Sequence, residues 1–244
     1  MAHAHARRGR ARMTPVLPAG CVIALLGAES TGKTELARAL TQRLQERGIA
    51  TTMVGEYLRE WCDREGRTPR PEEQRAIADE QTRRIDAAAG AGVVVADTTA
   101  LMTAVYSELL FGDTSLHAGA LAAQARYAIT LLTALDIPWV ADALRDGDHA
   151  REPTDALVRA ALAGARLPFA VVHGTGGERL CSAWNAINSI AASEGRPRAR
   201  GRADAKPAPW SWPCEKCSDP ECEHRLFSDL IGRRDNPPMP SSET

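Results

Sequence analysis

The sequence predicts an α/β protein built on a parallel sheet, and three observations carry that prediction. Between Cys21 and Glu194, short β-branched or aliphatic runs alternate with stretches of helical periodicity. The glycine-bearing segment Gly27–Thr34 joins a hydrophobic run to an amphipathic one. The run Val93–Asp97 is apolar until its last residue, an acid, as a buried central strand reads.

Each element follows from local pattern. Cys21–Leu26 is the first strand, and Thr34–Arg47 is a helix with Leu36, Leu40 and Leu44 on one stripe and Gly48 as its stop. Ala50–Gly55 is a second strand, leading to a helix over Tyr57–Arg64. The Pro69–Pro71 stretch breaks the chain, and Pro71-Glu-Glu-Gln opens a helix with acids in its first turn. After the Val93–Asp97 strand, a helical region runs to about Tyr127, interrupted near Gly112-Asp113. Ile129–Leu135 and Phe169–His173 are the fourth and fifth strands, and Gly177–Ala192 is the closing helix. The polar stretch Asp142–Arg151 between those strands reads as a mobile lid.

Composition narrows the class. The chain has 244 residues, 44% hydrophobic and 25% charged, the balance of a globular domain. Thirty basic against thirty-one acidic residues give a net charge of −1, so nothing global points to nucleic acid or to an anionic membrane. Its apolar runs are too short to span a bilayer. Arg7–Arg12 and Leu17–Cys21 resemble a leader and a cleavage box, but Pro15 and Pro18 interrupt the apolar stretch between, and a soluble, cytoplasmic protein is the better reading. Residues 1–19 read as a flexible segment, 20–194 as the folded domain, 195–213 as a linker and 214–244 as a cysteine-rich tail. In the linker, Arg196, Arg198, Arg200 and Arg202 stand among four prolines, solvated by default, with RNA or phosphate contact as the alternative.

The strongest motif is Gly27-Ala28-Glu29-Ser30-Thr31-Gly32-Lys33-Thr34, which matches the eight-position phosphate-loop pattern without a gap. Backbone N–H groups in such a loop turn inward at a positive helix end and cradle anionic oxygens. Only three of the basic residues are lysines, and Lys33 is one of them, where a compact ammonium can reach the β- and γ-phosphates of ATP. Thr34 offers a hydroxyl to Mg²⁺, and Asp97 offers a carboxylate behind it or, alternatively, a cap for the next helix. Glu56, ending the second strand, is placed to accept the proton of an attacking hydroxyl, or else pairs with Arg59. Arg145 and Arg151 could close over the triphosphate. Tyr57, Trp61 and Trp139 all follow strand ends on the ligand side of the sheet, where they could stack on a ring or pack the core.

Taken together, Gly27–Thr34, Glu56-Tyr-Leu-Arg-Glu60, Asp97-Thr98 and Trp139-Val-Ala-Asp-Ala-Leu-Arg145 resemble the ribosylnicotinamide kinase domain of NadR-type proteins over about residues 20–192. The resemblance implies a P-loop NTPase three-layer fold with five parallel strands in the order 2-3-1-4-5. It implies ATP-dependent phosphorylation of the 5′-hydroxyl of nicotinamide riboside. By their places at the ligand end of the sheet, Tyr57 and Trp139, with Arg59 and Asp142 near them in sequence, are the candidates to contact that acceptor. The chain departs from the pattern at Thr99, where relatives often have a second acid, and at Ala143, where they often have glycine. These departures leave the phosphoryl chemistry intact and bear on the acceptor. A stand-alone kinase domain is expected, with another nucleoside or nucleotide as the alternative acceptor and an ATP-switched interaction protein as the non-enzyme alternative.

The tail adds a separate signal. Cys214, Cys217, Cys222 and His224 lie within eleven residues, a ligand set suited to tetrahedral zinc in a small knuckle, although the Cys-x-His spacing requires a turn. Free thiols and a redox pair are the alternatives. Cys21, Cys62 and Cys181 read as buried thiols of the main domain.

Overall fold

Successive side chains of a strand face opposite sides of its sheet, and in the computed structural model, which describes residues 15–138 and 150–194, that rule builds the two halves of the core. The elements in chain order are β1 (Val22–Leu26), α1 (Lys33–Gln45), β2 (Thr51–Val54), α2 (Tyr57–Glu65), α3 (Pro71–Ala89), β3 (Val93–Asp97), α4 (Ala100–Phe111), α5 (His117–Gln124), β4 (Ile129–Thr133), α6 (Arg151–Gly164), β5 (Ala170–Val172) and α7 (Gly176–Glu194). Five strands pair in parallel in the order β2-β3-β1-β4-β5, the order that the resemblance implies.

Ile23 and Leu25 of β1, Val93 and Val95 of β3, and Leu131 of β4 pack on one face against Leu36, Leu40 and Leu44 of α1 and Trp184 and Ile187 of α7. The alternate residues supply the other face. Leu26 and Leu132 meet buried side chains of α4 and α6, and Val22, Ala24, Val94 and Ala96 meet Ile85 of α3. The result is three layers, helix on sheet on helix. The central strands β1, β3 and β4 are buried along their whole length, which is why they lack polar/apolar alternation; the polar residues they hold, Asp97, Thr130 and Thr133, are buried too. Edge strand β2 instead reads Thr-Thr-Met-Val, with only Val54 buried.

Helix ends follow the expected punctuation. Pro71 opens α3, and Glu73 accepts the Arg70 N–H at 2.7 Å while Arg67 grips the same carboxylate at 2.7 and 2.8 Å. Gly112, at φ 68°, closes α4 in the left-handed conformation.

Two local expectations are corrected, and one left open is decided. Helix α6 occupies the chain after residue 150, and Arg151 is its first residue rather than part of a loop, packed inward at 7% exposure. Its stripe, Thr154, Val158 and Leu162, recurs at helical spacing but is diluted by alanine and glycine, so the flanking polar stretch dominated the sequence reading. Cys181 is exposed on α7, whereas Cys21 and Cys62 are buried as expected. Of the two readings of Trp61, core packing is the one realised: it joins a small core with Cys62 and Ile77, under the Arg67 guanidinium at 4.9 Å. No helix among the described residues is long and apolar enough to cross a membrane. The linker and the Cys214–His224 knuckle lie outside the described residues.

Candidate active site at the phosphate loop

All strands of a parallel sheet end on the same edge, and ligands bind there. Glycine makes the turn from β1 to α1 possible. Gly27 has φ 146°, and a Cβ on it would stand 2.1 Å from the Thr133 hydroxyl oxygen. Behind the loop, Thr31 donates to the Ala28 carbonyl at 2.8 Å and shares a 2.7 Å hydroxyl contact with Thr133 of β4, which in turn reaches the Leu26 carbonyl at 3.1 Å. The Thr31 side chain is therefore buried scaffolding for the loop. Gly32, at φ 73°, is the N-cap of α1 and has no side chain with which to cap that helix end. An uncapped helix terminus beneath a glycine turn is the arrangement that receives anionic oxygens.

Lys33 arches back over the loop and donates to the Ala28 carbonyl at 2.7 Å. Thr34 donates to Asp97 Oδ2 at 2.6 Å. Because its proton is committed to Asp97, the hydroxyl lone pairs remain for a cation. Asp97 is 2% exposed, and its Oδ1 accepts no hydrogen bond among the described residues. An orphaned buried carboxylate oxygen beside a threonine hydroxyl fits Mg²⁺, a hard cation that takes oxygen ligands. Among the described residues no group of three or more His, Cys, Asp or Glu is placed to hold a metal, and the candidate zinc ligands Cys214, Cys217, Cys222 and His224 lie outside them.

Glu56 occupies the N-cap position of α2 without a side-chain cap bond and lines the same cavity as Lys33 and Thr34, with Arg59 Nε 3.5 Å from its Oε2. Both readings of Glu56 are thus structurally compatible. The cavity has a volume of about 1120 Å³. Strand order divides it, with the loop after β1 at the centre. Leu58, Arg59 and Gln74 belong to elements on the β2–β3 side, and Ile137, Gly177 and Arg179 to those on the β4–β5 side.

Two candidates sit elsewhere. The Tyr57 ring lies under the Arg84 guanidinium at 4.3 Å and is not on the cavity wall, because the α2 turn directs it toward α3. Arg151 is not itself on the cavity wall but donates to the Ile137 carbonyl at 2.8 Å, bracing a backbone segment of that wall. Trp139, Asp142 and Arg145 lie outside the described residues.

Sequence reasoning missed two side chains. Arg179 is 3% exposed and donates to the Thr31 carbonyl at 2.6 Å and the Gly174 carbonyl at 2.7 Å, and it pairs with Asp136. Burial draws its pKa below the usual arginine value, against the pull of Asp136. Its position was a signal, since a cation in the first turn of a helix opposes the macrodipole and needs a specific partner. Gln81 of α3 accepts the Tyr57 N–H at 2.7 Å and donates to Gly55 O at 3.2 Å and Thr98 O at 3.4 Å, tying the turn that carries Glu56 to the turn after Asp97. No sequence pattern distinguishes it from its solvated neighbours.

Residues 22–179 match the family model described as AAA domain. The chain belongs to this AAA domain family. No curated protein sequence matches it. Among solved structures, NadR protein in complex with NAD and AMP-PNP aligns with a TM-score of 0.56 at 22% identity, covering 70% of this chain and 49% of that one. NadR protein in complex with NR aligns at 0.57 and 22%, covering 70% and 50%. This AAA domain chain therefore spans about half the length of those NadR chains and shares their fold over its described core, so the resemblance carried by the motifs extends to the architecture.

Proposed function

We propose that the chain is an ATP-dependent kinase that phosphorylates the 5′-hydroxyl of nicotinamide riboside. The observation that carries this reading is one cavity with Lys33, Thr34 and Glu56 on its wall, at about 1120 Å³ larger than the roughly 300–1,000 Å³ of a site for a single small ligand. It has room for a triphosphate donor and an acceptor side by side. NadR proteins of like fold hold NR in one structure and NAD with AMP-PNP in another, which supports that pairing of ligands.

In this reading the triphosphate lies along the loop amides at the start of α1, and Lys33 balances the charge developing on the transferred group. Thr34, backed by Asp97, would hold Mg²⁺, which when bound supplies neutralisation of the phosphate oxygens. Glu56, oriented by Arg59, takes the proton of the attacking hydroxyl from the β2–β3 side of the cavity. Sequence assigns Arg145 to the transferring phosphoryl group, and Trp139 and Asp142 to the acceptor.

The test is ADP release from purified protein with ATP, Mg²⁺ and a panel of nucleosides. Turnover that depends on nicotinamide riboside, and that falls about 10²–10³-fold in Lys33→Ala with the melting temperature nearly unchanged, is the expected result. Slow hydrolysis independent of any acceptor would overturn it in favour of an ATP-switched interaction protein.

A further inference from the structure

At the acceptor end of the cavity a buried polar side chain stands outside the kinase reading. Gln74, in the first turns of α3, is 2% exposed, lines the cavity, and its Oε1 accepts no hydrogen bond among the described residues. Leaving such a group unsatisfied costs more than a hydrogen bond returns, so a buried amide retained without a protein partner calls for an explanation. Around it the lining is largely apolar. Leu58 and Cys62 of α2, Pro69, and Tyr106, Leu110 and Phe111 of α4 line the same cavity. Burial pushes the Cys62 thiol up, so that wall carries no ready thiolate. Leu110 and Phe111 are 49% and 41% exposed, large apolar groups facing water where a cavity begins. A slot with apolar sides and one buried amide suits a flat heterocycle that carries a polar group at one edge.

We propose that Gln74 is a specificity-determining residue that reads a neutral amide on the acceptor's ring. This assignment rests on the kinase reading above and deepens it. A glutamine side chain is one donor group and one acceptor, and its ends exchange by rotation. A carboxamide on the ring satisfies both ends at once. A carboxylate satisfies only the donor, sets an anion against Oε1, and must give up its hydration among apolar walls. A ring with no substituent leaves the glutamine as unsatisfied as before. The slot therefore ranks a carboxamide riboside first, with a carboxylate riboside and an unsubstituted riboside both behind it.

The experiment measures kcat/KM, with ATP saturating, for nicotinamide riboside, nicotinic acid riboside and pyridine riboside, in the unmodified chain and in Gln74→Leu and Gln74→Met. In the unmodified chain, nicotinamide riboside should exceed each of the others by about 10-fold or more, the scale of one buried hydrogen-bonding group. Both variants should lose that preference, with nicotinamide riboside falling most, about 10–100-fold, and KM for ATP unchanged. Their melting temperatures should hold or rise, since replacing an unsatisfied buried amide by an apolar group of like size removes its desolvation penalty. Uridine, whose ring lactam also offers a neutral amide edge, separates recognition of amide edges in general from recognition of the carboxamide. Turnover above pyridine riboside that also depends on Gln74 supports the general form, and uridine turnover no better than pyridine riboside's supports the carboxamide form. Equal kcat/KM for the three pyridinium ribosides in the unmodified chain would overturn the assignment alone, even if the variants failed to fold. Turnover of no riboside at all would overturn the kinase reading and this assignment with it.

Discussion

A Cβ on Gly27 would approach Thr133 Oγ1 to 2.1 Å, and the backbone there has φ 146°, so two separate penalties guard one position. Gly27→Ala should destabilise the chain by at least about 1–3 kcal/mol from backbone strain, with the clash in addition. Adding Thr133→Ala removes the 2.1 Å clash but not the strain, so the double variant should still melt below Thr133→Ala alone, which by itself loses the hydroxyl's contacts with Thr31 and the Leu26 carbonyl; equal melting of those two would mean that the dihedral costs nothing. The two carboxylates at the site differ at the same scale. Asp97 is buried against the Thr34 hydroxyl, whereas Glu56 faces the cavity beside Arg59. Asp97→Asn should therefore raise the Mg²⁺ concentration needed for half-maximal turnover. Glu56→Gln should lower kcat with that concentration and ATP binding unchanged. Identical Mg²⁺ profiles for the two variants would refute the division of labour. Both acids were legible in the sequence because strand ends are recognisable. The carbonyl contacts of Lys33 and the inward turn of Thr31 were not, because a motif specifies spacing and not rotamer.

Elements act on the site through a few long side chains. Arg179, on α7, links the Thr31 carbonyl of the phosphate loop to the Gly174 carbonyl after β5. Removing one partner of a buried pair costs about 3–5 kcal/mol, and Asp136 is itself 35% exposed, which places Arg179→Ala toward the lower end. The variant should melt earlier and bind an ATP analogue more weakly, because the loop loses its tether. Asp136→Asn keeps the tether to both carbonyls and should melt earlier while binding the analogue nearly as well. Equal binding losses in the two variants would show that the pair, and not the tether, sets the loop. Helix α6 teaches a related lesson. Arg151 opens that helix, and its guanidinium reaches the Ile137 carbonyl at 2.8 Å, so an arginine that reads as a loop cation in the sequence instead holds a wall of the cavity in place.

Across the whole molecule, the sheet brings strands distant in sequence into contact, with β1 between β3 and β4 and the loop after it at the centre of the C-terminal edge. Packing at the far side of that scaffold has a pH signature. Burial pushes the Tyr127 phenol up to about 12, against about 10 in an unfolded chain. Between those values the folded state keeps a proton that the unfolded state has released. The folded state then binds more protons, so stability falls as pH rises through the window and is untouched below about pH 10. Tyr127→Phe should flatten that loss in urea melts taken from pH 9 to 12; an unchanged alkaline slope would assign it to other groups.

The amino-acid sequence alone determined the fold class, the strand runs, the phosphate loop and its two acids, because these depend on periodicity, glycine placement and residue type, all of them local. It also marked the family resemblance, and hence the strand order, through motifs at fixed offsets. Tertiary structure alone decided which side chains those offsets bring to one cavity. It turned Tyr57 under Arg84 and Trp61 into a core, buried Arg151 against a carbonyl, and enlisted Arg179 and Gln81 from helices far along the chain. It also left Gln74 with an oxygen unpaired among the described residues, beside apolar neighbours. The physical reason is range. Backbone preferences act over a few residues, whereas the partner of a buried polar group is chosen by whichever distant element the packed core sets against it.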